Sequence, residues 1–237
     1  MKRLSLPVVA VLSALAVPAL VIVGCGGKEP GATTITKGAF VLGCDEAVLP
    51  VINHEIQEFT SLYTGASVTV RAGGAREIIA QFAADSIKTI ICARELNKEE
   101  RDALAAAKVG IQEYLVARSA VAVIANRSVP VTHLRVGELD TVFSGAVTRW
   151  PGKRGMMIEL AVSGLNSSVN EVFRKSVLGG GGFDPAARAF ASATDLVHYV
   201  RTTPGAVGIL GLNLLGGNTD DVNVIELASS AMRPDST

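Results

Sequence analysis

Short apolar runs alternate along this chain with stretches whose apolar positions recur every three or four residues. The first pattern suits a strand buried on both faces and the second an amphipathic helix, so the alternation predicts an α/β chain with mainly parallel sheets. AFVLGC, 39–44, is followed by a helical pattern in which Val48, Ile52, Ile56 and Phe59 recur before Gly65. SVTVRAGG, 67–74, predicts a second strand, a helix follows from about Ala75 to Ala84, and KTIICA, 88–93, predicts a third strand. A charged stretch, 94–110, leads to the strand-like IQEYLVA, 111–117, and then to SAVAVIANRSVPV, 119–131, which reads as a fully buried strand. Beyond it come a short helix ending in a turn within 133–150, and a strand running into a helix over 157–169. A glycine loop at 178–183, then a helix, a Pro-Gly turn and a last strand over 193–215, complete the pattern. The tail 229–237 reads as loose.

The N-terminus departs from this alternation. Met1-Lys2-Arg3 precedes an apolar run from Leu4 to Val23 that ends in Gly24-Cys25-Gly26-Gly27. A basic start, an apolar middle and small residues at the end form a secretory signal pattern. A run of this length could also span a bilayer, but Pro7 and Pro18 interrupt it. Ile22-Val23-Gly24-Cys25 resembles the bacterial lipobox, in which the signal is removed and the cysteine carries lipid. The expected organisation is therefore a signal at 1–24 and a Gly- and Thr-rich lipidated tether at 25–36.

Composition narrows the partners. With 49% hydrophobic residues over 237 positions, a real core is expected. Charges balance at 22 of each sign, and removal of Lys2 and Arg3 leaves 20 against 22. Neither that balance nor any basic run attracts nucleic acid. His54, His133 and His198 stand apart, with no Cys or His at metal-ligand spacing, so no metal and no cofactor is expected. No nucleophile has an assured base, and the chain reads as a non-enzyme. Cys44 and Cys92 both end apolar runs; a disulfide between them and two separate buried thiols are both open.

One unit recurs: a strand, a turn of small residues, then the start of a helix. It appears at Cys44-Asp45, at Gly73-Gly74 and at Asn166-Ser167-Ser168, with Arg94 at a further strand end. Helix N-termini carry unpaired N–H groups and the positive dipole end, so several converging on one cleft make an anion site. The simpler reading of Ser167 or Ser168 is a helix cap, with Glu171 completing a capping box. Arg94 and Arg76 could likewise belong to solvated helix faces. Asn166-Ser167-Ser168 and Asn126-Arg127-Ser128 match glycosylation sequons, which a bacterial lipobox makes irrelevant.

In that order, these turns resemble those of the phosphate-binding lipoproteins of bacterial ABC importers, a branch of the type II periplasmic binding proteins. LDTVFSGAVTRW is similar to the family's L-x-x-I-F-x-G-x-I-T-x-W, matched at Val142, Phe143, Gly145, Val147, Thr148 and Trp150. PGAVGIL, 204–210, and VLGGGGF, 177–183, add to the resemblance, which spans about Gly38 to Leu215. It implies two lobes, each a mainly parallel sheet flanked by helices, closing on a small solute such as phosphate or another oxyanion. The lobes would be 37–117 and 118–205, with a return to the first lobe over 206–230 and a loose end at 231–237. Hinges are expected near Leu115 to Ser119 and Gly205 to Gly208, and Trp150 should pack beneath the second lobe. The implied partners are an ABC permease and, through a lipid on Cys25, a membrane.

The family's ligand turns map here to Cys44, Asp45, Gly74, Arg94, Asn166, Ser167 and Ser168, with changes of one sign. Hydroxyl donors of the first turn are replaced within Gly43-Cys44-Asp45-Glu46. The second turn keeps Gly73 and Gly74 without a hydroxyl, the third reads Ala93-Arg94, and the fourth has Ser163 for the family's arginine and Val169 for its threonine. Two carboxylates beside a phosphate dianion oppose its binding. Asp45 is expected instead to cap its own helix and fill the anion site, where Arg94 could pair with it. A ligand carrying an amine or several hydroxyls suits these turns better than phosphate. The alternative is a degenerate binding domain kept as an interaction or sensory module.

Overall fold

The computed structural model describes residues 34–152, 155–216 and 221–228, all within one compact unit, Thr33–Thr237. The signal, Cys25, most of the tether and the tail lie outside the described residues. Among the described residues, no helix is long and apolar enough to cross a membrane.

The first lobe is a parallel sheet of β1 (Gly38–Asp45), β2 (Ala66–Gly73) and β3 (Ile90–Ile91), in the order β2-β1-β3. α1 (Leu49–Leu62) and α2 (Ala75–Ala83) make the crossovers, and α3 (Lys98–Ala106) follows β3. Pro50 sits in the first turn of α1, where its missing N–H costs nothing. Despite the apolar spacing of Ile52, Ile56 and Phe59, no residue of α1 is buried. α2 buries Ala75, Ile78 and Ile79, and Ile78 lies against Gly43 of β1. α3 opens on a capping box: the Asn97 side chain accepts from the Glu100 N–H at 2.9 Å, and the Glu100 carboxylate accepts from the Asn97 N–H at 2.9 Å.

The second lobe holds five strands: β4 (Val121–Ala125), β6 (Glu159–Ser163), β7 (Arg188–Phe190), β8 (Ala206–Gly211) and β9 (Asn223–Val224). Their order is β7-β6-β8-β4-β9, with β4 antiparallel to both of its neighbours. β5 (His133–Arg135) and β10 (Glu226–Ala228) form a separate parallel pair. One face of the five-stranded sheet packs Val123, Val162 and Ile209 against α4 (Val136–Phe143) and α5 (Ser168–Ser176). Phe143 and Phe173 meet there edge to face at 4.8 Å between ring centroids. The other face packs Ile124, Ala161 and Leu210 against Leu196 and Val200 of α6 (Ala193–Thr202). A sheet covered on both faces accounts for the continuous apolar runs.

This is the two-lobed α/β architecture expected, with two differences along the chain. IQEYLVA forms no strand; residues 111–117 are exposed and unpaired, with Tyr114, Leu115 and Val116 each more than 70% exposed. A β-branched and aromatic run resembles a strand only if a sheet edge accepts it, and the two-residue β3 offers little edge. The stretch 206–230 does not return to the first lobe as a whole. β8 lies inside the second sheet, paired with β4 and β6, because a fully apolar strand needs cover on both faces. Among its described residues only the short helical turn Leu212–Leu214 reaches back: Asn213 donates to the Ala47 carbonyl at 2.8 Å. Gly205 to Gly208 is thus a turn and strand of the second lobe, and the chain crosses at Ile111–Ala120 and after Gly211.

The Pro-Gly turn before β8 is fixed by sterics. Gly205 has φ +81°, and a Cβ there would stand 2.2 Å from the Met157 carbonyl oxygen. Its own carbonyl accepts the buried Trp150 indole N–H at 2.8 Å, placing Trp150 beneath the second lobe as expected. Asn126, in one of the two sequons, is spent inside the fold: its amide donates to the Val200 and Arg201 carbonyls at the end of α6, both at 2.8 Å. Gly205→Ala should lower unfolding stability by about 2 kcal/mol or more, combining left-handed strain with a backbone clash; a urea denaturation curve within a few tenths of wild type would contradict this reading.

Candidate functional site

The C-terminal ends of β1, β2 and β3 point at the start of α5 in the other lobe, so the predicted turns meet along one seam. At its centre Asp45 is fully buried. One carboxylate oxygen accepts the Ala47 N–H at 3.0 Å; the other accepts the Ala93 N–H at 3.1 Å and the Ser168 hydroxyl. Two donors come from the first lobe and one from the second. Ala47 and Ala93 also press their methyl groups into the second lobe's core, beside Val123 and Val169. Three donors from two lobes thus converge on one point, and a side chain of the protein accepts all of them.

A second carboxylate bridges the lobes beside the first. Glu171, one turn into α5, pairs with both Arg76 and Arg94 of the first lobe. Arg94 also grips Glu100 through two bonds of 2.8 and 2.7 Å, and its side chain is only 7% exposed. Asp45 is not its partner, contrary to expectation. With Asp45 already holding three donors, the guanidinium fork lies instead on the two oxygens of Glu100, a bidentate match that favours Arg. Burial pushes the Glu100 carboxyl up, but the Arg94 bonds and the Asn97 N–H outweigh it and leave it below the usual range. The Glu100 bond, working against burial and helped by Glu171, holds the Arg94 guanidinium above its ordinary value.

The other predicted residues divide. Gly74 and Asn166 touch across the seam: a Cβ on Gly74 would fall 2.8 Å from the Asn166 Cβ and 2.9 Å from its carbonyl oxygen, so only glycine admits this approach. Ser167 is the helix cap, its hydroxyl accepting from the Val169 N–H at 3.2 Å, which leaves Glu171 at the fourth helical position, one too far along for a capping box. Cys44 supplies no donor to the cradle. Gly43 and Ile90 share the face against α2, so Cys44, paired with Ile91, emerges on the opposite face and Cys92 on the side of Gly43. Both thiols are free, Cys44 buried and Cys92 half-buried, and burial first, then Asp45, pushes Cys44 up to about 11 and Cys92 to about 12, which suits unreactive thiols.

Sequence reasoning missed Glu171 as a bridge, although it sits three residues after Ser168 on one helix face, the spacing at which side chains meet. The Ala47 and Ala93 amides, being backbone, leave no sequence signal. The space left at the seam is about 90 Å³, lined by Ala47, Ala93, Ser119, Ser168, Val172 and Asn213. That is well below the roughly 300–1,000 Å³ of common small-molecule pockets. Among the described residues no cluster of His, Cys, Asp and Glu is arranged to hold a metal.

A family model described as a PBP superfamily domain matches residues 29–227. The chain belongs to the PBP superfamily. Solved structures agree on the fold. A substrate-binding protein of phosphate ABC transporter type from Clostridium perfringens, with bound phosphate, superposes with a TM-score of 0.70 at 18% identity, covering 80% of this chain and 76% of that one. An ABC-type phosphate transport receptor from Vibrio cholerae gives 0.63 at 18% identity, covering 79% and 76%. The OxyR2 regulatory domain of Vibrio vulnificus gives 0.52 at 15%, covering 83% and 84%. At these identities the likeness is one of fold.

Two outcomes follow for this PBP superfamily member. Asp45→Ala should cost about 3 kcal/mol, since it strands two buried N–H groups and a hydroxyl. Added acetate or phosphate should recover part of that loss in thermal denaturation; loss with no recovery by any anion would show that the cradle is not an anion site. Burial, then Asp45 and Glu77, pushes the Glu46 carboxyl up. A folded pKa above the unfolded one makes ionised Glu46 a destabiliser whose cost appears as pH rises through the carboxylate range. Glu46→Gln should therefore be more stable than wild type at pH 7 and equal to it below about pH 4, as read by melting temperature across pH.

Proposed function

We propose that this chain is an exported, lipid-anchored substrate-binding protein of ABC importer type, which takes a small solute between its two lobes and presents it to a membrane permease. The single observation that supports this reading most is the meeting of four strand-end turns from two lobes at one seam, within a chain matched by the family model over 29–227. Lobe closure transmits ligand state only through contacts that differ between open and closed forms, and the contacts of Ser168, Asn166 and Glu171 across the seam are the ones this reading assigns to that role. The proposed anchor is Cys25 after removal of 1–24, and no catalysed reaction is part of the reading.

Phosphate is not the proposed solute. Its place on the donors is taken by the Asp45 carboxylate, and a dianion brought beside Asp45 and Glu46 meets like charge at close range. The free space at the seam, bordered by Ser119, Ser168 and Asn213, suits a small uncharged solute with hydroxyl or amide groups, or one carrying an amine. The same occupancy favours a second reading, in which the domain closes on itself and serves as an interaction or sensory module without transport.

Isothermal titration with phosphate should give no binding in the micromolar range; micromolar affinity would sink the exclusion of phosphate. A thermal-shift screen of sugars, polyols, amino acids and amines separates the two readings. A reproducible rise with one class supports transport, and a flat response across all of them supports the module. Intact-mass analysis of the mature chain should find a lipid-bearing N-terminus at Cys25, abolished by Cys25→Ala.

A further inference from the structure

All three strands of the first lobe end at the seam, so their starting ends lie together at the far end of that lobe. This base exposes large apolar side chains. Thr34 and Lys37 are bonded to each other in both directions, at 2.8 and 3.3 Å, leaving Ile35 at the tip of a tight turn, 94% exposed. Beside it the Gly38 N–H donates to the Gly65 carbonyl at 3.0 Å, and the Lys37 side chain lies against Gly65. That second turn follows directly on Leu62, 75% exposed at the end of α1, and Tyr63. α2 and α3 both run away from the seam, and at their far ends Lys108, in a left-handed conformation, and Lys88, paired with Asp85, line one hollow.

We propose that the base of the first lobe is a membrane-contact surface, with Ile35 and Leu62 entering the headgroup boundary of an anionic bilayer and Lys37 and Lys108 facing its phosphates. The occupant follows from chain length, and on this point the inference rests on the lipid-anchor reading above. Cys25 stands only nine residues before Thr34, a reach of at most about 30 Å, and that tether enters the fold at this base. The base is thus the part of the domain held nearest the lipid. An apolar tip flanked by lysines is the pattern of an interfacial contact. Two large side chains and two cations that form no ion pair among the described residues give weak, reversible contact, so the domain can still lift within its tether.

The test places the chain from residue 25 onwards on vesicles by a histidine tag, at the position of Cys25, on nickel-chelating lipid. Tether length is then preserved whether or not Cys25 is lipidated in cells, which separates failure of this proposal from failure of the anchor. Ile35→Trp, Leu62→Trp and Leu165→Trp are compared, the last on an exposed residue at the seam. Trp150, buried in the second lobe, provides the common background. In phosphatidylglycerol vesicles with brominated acyl chains, quenching at positions 35 and 62 should exceed that at 165 by roughly threefold or more, and Lys37→Glu should reduce it. Equal quenching at all three positions, or none at 35 and 62, overturns the proposal. So does a concentration-dependent blue shift of the Ile35→Trp emission without vesicles, which would assign the base to a second copy of the chain.

Discussion

A carboxylate taken fully out of water must be given donors or be neutralised, and the two lobes of this protein meet around one that is given donors. Asp45 collects two amides from its own lobe and a hydroxyl from the other. Everything else at the seam is arranged to permit that meeting. Gly74 lets the second lobe's turn approach, Ala47 and Ala93 pack against the second lobe's apolar core, and Asn213 fixes the turn that carries Ala47. The arginine and glutamate cluster lies beside this point and cancels charge across the same interface.

Asp45 is an acceptor tethered to the same chain that supplies its donors. A tethered ligand has no translational entropy to lose, so its contacts form at a lower free-energy cost than those of a free solute with the same donors. The consequence is a seam held together by the chain's own groups. Whatever approaches the seam meets groups that are already bonded to one another.

Much of this was legible in sequence, and the parts that were not share a cause. The continuous apolar runs at 121–125 and 206–211 mark buried strands, and the turn chemistry places Asp45, Gly74 and Ser168 on one cleft. IQEYLVA has strand composition but lacks a neighbouring edge, which composition does not encode. The partner of Arg94 depends on which carboxylate stands at the right distance after folding; Glu100 and Glu171 compete with Asp45 on equal terms until geometry decides. The Ala47 and Ala93 amides are invisible because any residue would supply them.

The uneven burial of the two lobes bears on how the molecule assembles. The second lobe has a sheet covered on both faces, while α1 of the first lobe buries no residue and β3 is two residues long. Synthesis delivers the weaker half first. Until Ser168 and Glu171 emerge, some 120 residues after Asp45, the early strands lack the contacts that close them, and β4 in turn waits about 80 residues for β8 to pair with it. Contacts so distant in sequence form slowly, so the nascent first lobe passes through an interval in which Asp45 and its strand edges face water.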